Sequence, residues 1–93
     1  MAEIEVQRAD VERFKSRFHV KITEGGESRD HDVTLSSSDF ERLGGATRSP
    51  EDFVKACFEF LLEREPVGSI LPSFDVASIG DYFPEFERTI TLG

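Results

Sequence analysis

The stretch Arg13–Leu35, RFKSRFHVKITEGGESRDHDVTL, decides the fold. Phe14, Ser16, Phe18, Val20 and Ile22 share one parity, while Arg13, Lys15, Arg17, His19 and Lys21 share the other. Successive side chains of a strand point to opposite faces, so this alternation predicts a strand with one buried and one wet face. Gly25-Gly26 then supplies the positive φ angles of a tight hairpin. The return strand runs from about Arg29 to Leu35, with Val33 and Leu35 inward. A two-residue loop on Gly25-Gly26 pairs Phe18 with Val33, His19 with Asp32 and Lys21 with Asp30. A four-residue loop keeps the faces and shifts the partners by two.

Upstream, Ile4 and Val6 alternate with polar residues, which leaves residues 1–12 as either an edge strand or a flexible arm. Downstream, Ser36-Ser37-Ser38-Asp39 offers helix N-caps, Ser38 and Glu41 have the spacing of a capping box, and Gly44-Gly45 ends that short helix. Ser49-Pro50-Glu51-Asp52 starts a second helix with a capping serine, proline in the first turn and acids at the positive end of the dipole. It should run to about Glu65, with Phe53, Val54, Cys57, Phe58, Phe60 and Leu61 on a wide apolar arc. Pro66, Gly68 and Pro72 break the next segment, with Ile70 and Leu71 expected in the core. Ser73 or Asp75 can cap another helix. Val76, Ile79, Phe83, Phe86 and Ile90 form one helical stripe, which Pro84 should divide into a kinked helix or two short ones.

A chain of 93 residues is one domain, residues 1–93, whose stability margin is thin enough for self-association to contribute. A single cysteine allows no internal disulfide. Met1–Glu5 has neither a basic start nor an apolar core, so no secretion signal is expected; the expected location is cytoplasmic, without membrane contact. The net charge of −8 disfavours non-specific nucleic-acid binding. It is unevenly spread: residues 1–49 carry ten acidic and eight basic side chains, residues 50–93 nine and three. Different partners would suit the two halves.

Three features invite a chemical reading. Cys57 is the only thiol, but it lies on the apolar arc without a histidine at a triad-like spacing, so an inert buried cysteine is expected. Asp30-His31-Asp32 suggests a metal or acid–base cluster, yet alternation turns His31 away from both aspartates, and the facing basic residues account for the aspartates as cross-strand pairs. His31 should be a partly covered edge residue. The glycine pairs match no phosphate-loop spacing. No catalytic residue, cofactor or metal is therefore expected.

Two surfaces stand out. The ribbon Arg13, Lys15, Arg17, His19 and Lys21 is a candidate interaction surface, able in principle to track phosphates; the plain alternative is a solvated sheet face. Phe74, Tyr82, Phe83 and Phe86 form a candidate aromatic patch, most of it expected against the central helix, with the remainder free to bury against a partner.

Phe60-Leu61-Leu62-Glu63-Arg64-Glu65-Pro66, Ser69-Ile70-Leu71, Phe74-Asp75, Ile79 and Tyr82-Phe83-Pro84-Glu85 resemble a group of short uncharacterised prokaryotic proteins, in which a hairpin also precedes a helix with this ending. The resemblance spans roughly residues 14–88. It implies a stand-alone bacterial or archaeal protein and brings no site residues.

The expected fold is α+β: an antiparallel β-hairpin, either alone or widened by a third strand from the N-terminus or from a partner, packed against three or four helices. The central helix should cover Phe14, Phe18, Val20, Ile22, Val33 and Leu35. The expected function is a non-catalytic protein-interaction or regulatory module whose partner is another protein or a second copy. The alternatives are nucleic-acid binding through Arg13–Lys21, and a small enzyme or enzyme subunit.

Overall fold

In the computed structural model, which describes residues 2–44 and 48–92, the hairpin is the middle of a four-stranded sheet. Strands β1 (Glu3–Val11), β2 (Lys15–Glu24) and β3 (Glu27–Ser36) are consecutive and antiparallel, and β4 (Ser73–Asp75) adds to β3 in parallel. Helices α1 (Ser37–Leu43), α2 (Pro50–Arg64), α3 (Ile79–Tyr82) and α4 (Phe86–Leu92) complete an α+β fold, with 3₁₀ turns at Val67–Ser69 and Val76–Ser78. The sheet is thus more than a hairpin, and the third strand comes from the chain's own N-terminal segment.

The hairpin has the two-residue loop. Gly25 and Gly26 have φ angles of 62° and 83°, which only glycine adopts freely, and their turn follows the right-handed twist of the flanking strands. Phe18 pairs with Val33, His19 with Asp32 and Lys21 with Asp30. On the inner face Phe18, Val20, Ile22, Val33 and Leu35 are buried, and Ile4 and Val6 of β1 extend the same surface. At Ala9 the β1 register shifts by one residue, a bulge that bends this edge strand.

Phe14 is not part of that face. The Glu12 amide donates to the Lys15 carbonyl at 2.8 Å, so residues 12–14 form the β1–β2 connection and β2 begins at Lys15, two residues later than the alternation suggested. The Phe14 ring is 68% exposed, with the Arg13 guanidinium 5.1 Å from its centroid. Arg13 likewise lies in the turn.

α1 starts immediately after β3, so its cap is Ser36, whose hydroxyl accepts the Asp39 N–H at 3.1 Å; the Ser38–Glu41 box is not formed. Gly44 closes the helix, and Gly45 lies outside the described residues. α2 starts as its sequence requires: the Ser49 hydroxyl accepts the Asp52 N–H at 3.2 Å, and Pro50 opens the first turn, where an N–H would have no intrahelical partner. Its arc, Phe53, Val54, Cys57, Phe58, Phe60 and Leu61, is buried against the sheet. Each large apolar side chain so covered contributes roughly 1.5–3 kcal/mol. Arg8 reaches from β1 to Glu51 at 2.7 Å, and its guanidinium lies 6.0 Å from the Phe18 ring centroid.

The apolar stripe of the C-terminal third is divided at Phe83-Pro84 into α3 and α4, with Val76, Ile79, Phe86 and Ile90 buried. Arg42 ties α1 to α4 through Glu87 at 2.7 Å, and Arg48 donates to the Ile90 carbonyl at 2.8 Å. Ile70 is buried, but Leu71 is 49% exposed, against expectation. The segment is extended there, so neighbouring side chains diverge: burying Ile70 turns Leu71 outward.

Candidate functional site

The basic ribbon lies on the outer face of a strand that has neighbours on both sides. Lys21 stands between Glu5 and Asp30, His19 between Gln7 and Asp32, and Arg17 between Asp10 and Thr34. His19 places Nε2 3.1 Å from Asp30 and Nδ1 3.3 Å from Asp32, so both aspartates of the Asp30-His31-Asp32 segment face it. Hydrogen bonding first to Asp32 and then to Asp30 raises the His19 pKa above its ordinary value. Lys15 approaches Asp75 at 3.7 Å, where the same carboxylate oxygen accepts the Thr34 hydroxyl at 2.6 Å. Lys15, Arg17 and Lys21 therefore share their face with Glu3, Glu5, Asp10, Asp30, Asp32 and Asp75. A phosphate approaching the ribbon meets carboxylates on either side.

His31 is not an edge residue. It is only 3% exposed, on the inner face against the Phe58 ring at 5.6 Å and beside the segment that leads into β4. Nδ1–H donates to the Leu71 carbonyl at 2.7 Å, which fixes the tautomer and leaves Nε2 buried with no hydrogen-bond partner among the described residues. The next residue repeats the attachment: the Asp32 N–H donates to the Pro72 carbonyl at 2.8 Å. Two bonds from consecutive residues of β3 thus hold the Leu71-Pro72 segment against the sheet.

That segment is one wall of an apolar groove of about 300 Å³. Ile70 and Leu71 face Leu61 and Glu65 at the end of α2, while Phe74 of β4 lines it from the sheet side. Ile79, Tyr82 and Phe83, on and just after α3, close the remaining side. Tyr82 is 69% exposed, so Leu71 and Tyr82 place two large, accessible side chains on the groove. Three members of the aromatic patch, Phe74, Tyr82 and Phe83, thus converge here. Phe86 does not: it is buried with its ring 5.1 Å from that of Phe60.

The groove is set up by ring packing behind it. Phe58 meets Phe74 at 5.7 Å, and Phe60 meets Phe83 edge-on at 5.9 Å. Its polar groups are the Glu65 carboxylate, the Tyr82 phenol and the hydroxyls of Ser69 and Ser78, the last donating to the Asp75 carbonyl at 2.7 Å. Such a lining suits apolar side chains with a few polar anchors. Leu61, Glu65, Ile70 and Leu71 carry no motif that places them in a site by sequence. The available signal was Leu71 itself, a large residue next to a proline in a segment too short to bury both it and Ile70.

Cys57 is fully enclosed, and burial pushes its thiol well above the ordinary value. Among the described residues no group of three or more His, Cys, Asp or Glu side chains is arranged to hold a metal ion, and no helix is long and apolar enough to cross a membrane. No protein-family model, curated protein or solved structure matches the chain.

Proposed function

We propose that the protein is a non-catalytic interaction module of a prokaryotic cytoplasm, and that it seats apolar side chains of a partner protein in the groove between the end of α2, the Leu71 wall and α3. The observation that carries this reading is the pair Leu71 and Tyr82, both substantially exposed on an apolar groove whose interior walls are held by the core. Large accessible apolar and aromatic residues beside a concave surface are the usual anchors of protein recognition. The outer sheet face offers no comparable feature, since its cations alternate with carboxylates.

The test is capture from the native host lysate with the wild-type chain and with a Leu71→Ser/Tyr82→Ser variant, each with and without nuclease. A stoichiometric protein that resists nuclease and is lost on the variant supports the reading. A partner retained by the variant, or one that disappears only with nuclease, overturns it.

A further inference from the structure

We infer that the segment seated in the groove belongs to a different protein and presents Lys or Arg beside its apolar side chains; this rests on the groove being a docking site. The groove is built largely from residues 50–93, which hold nine acidic and three basic side chains. Glu65 lines it directly, and among the described residues its carboxylate has no ion-pair partner. It also caps the C-terminus of the fifteen-residue α2, where the helix dipole adds partial negative charge.

The cation in that last turn is turned away. Arg64 donates to the Phe60 carbonyl at 3.2 Å, lies 3.6 Å over the Phe60 ring, and reaches Glu63 at 3.4 Å and Glu85 at 3.7 Å. Arg29 lies against Gly68 and is not among the residues that line the groove. A second copy docking through this half would bring like charge to like charge, which disfavours a homodimer through the groove. A cation next to an apolar anchor instead meets an unpaired carboxylate at a helix C-terminus, so charge selects the partner while the apolar walls hold it.

The experiment uses the intact chain and three matched sets of short fluorescent peptides. Each set has two bulky apolar residues, flanked by Lys or Arg, by Gln, or by Glu. At low salt the Lys/Arg set should bind about two- to fivefold tighter than the Gln set, the gain of one exposed ion pair, and the Glu set should bind weakest. Glu65→Gln should abolish that order and Glu65→Lys should invert it; both are surface changes, checked for folding by circular dichroism. Tyr82→Ala should weaken all three sets. Tyr82-dependent binding that ignores flanking charge, or an order unchanged by Glu65→Gln, overturns the inference and leaves the docking site standing. Absence of any Tyr82-dependent binding overturns both.

Discussion

The Nδ1–H of His31 donates to the carbonyl of Leu71 at 2.7 Å, across 40 positions of sequence, and so joins the inner face of the sheet to the wall of the groove. The same ring packs on Phe58, which packs on Phe74, so core and groove share their supports. His31→Leu removes the donor, which destabilises, and also removes the buried Nε2, which stabilises. The two oppose each other, so global stability should change by less than about 1.5 kcal/mol. The wall should nevertheless loosen: hydrogen exchange at the Asp32 amide, bonded to Pro72, should accelerate while that of the α2 amides stays unchanged. Unaltered exchange at Asp32 would show that the wall does not depend on His31.

Phe14 and Phe58 are the same residue type in opposite situations. Phe58→Ala opens a cavity behind the groove and should cost about 3–5 kcal/mol in urea unfolding, much of the stability of a small domain. Phe14→Ser alters an exposed turn and should stay within about 0.5 kcal/mol. A large loss at Phe14 would restore the strand boundary that alternation alone implies.

The hairpin turn can be tested by backbone preference alone, because an added Cβ at Gly25 meets nothing within 4 Å. Gly25→Ala should cost roughly 1–2 kcal/mol for forcing a non-glycine residue into the left-handed region. Gly25→Asn, which creates the Asn-Gly pair favoured in such turns, should cost much less. Equal denaturation midpoints for the two variants would contradict the turn.

His19 should titrate above its ordinary pKa of about 6.5, because its bonds to Asp32 and Asp30 favour the charged ring. The folded value lies above the unfolded one, so the stabilisation is fully present below about pH 6.5 and is lost as pH rises through the folded value. NMR titration of the imidazole should show the raised value, and Asp32→Asn should lower it. A value at or below that of an unstructured peptide would remove the bridge.

The hairpin was legible in the sequence because alternation along Arg13–Ile22, a glycine pair and a return strand of matching parity agree. Its register was not, since a two-residue and a four-residue loop keep the same faces, and only the Gly25-Gly26 turn geometry decides between them. The α2 boundaries were legible from Ser49-Pro50 and Pro66. β4 was not, since three residues carry no periodicity and their pairing partner lies 41 positions away. His31 has the inward parity of Val33 and Leu35, but its burial was not legible, because Phe58 and the Leu71-Pro72 segment that meet it come from distant parts of the chain. The aromatic patch was legible as composition but not as geometry. The i,i+3 and i,i+4 stripe groups Phe83 with Phe86, whereas the break at Pro84 sends Phe83 to the groove and Phe86 to the core.

The most direct test of the account compares two surfaces in one experiment. A photo-crosslinking phenylalanine analogue is placed at position 82, on the groove, and separately at position 21, on the outer sheet face, and each protein is irradiated in its host cells. Docking in the groove should give a discrete protein adduct from position 82 and none from position 21. An adduct formed only from position 21, to protein or to nucleic acid, would contradict it.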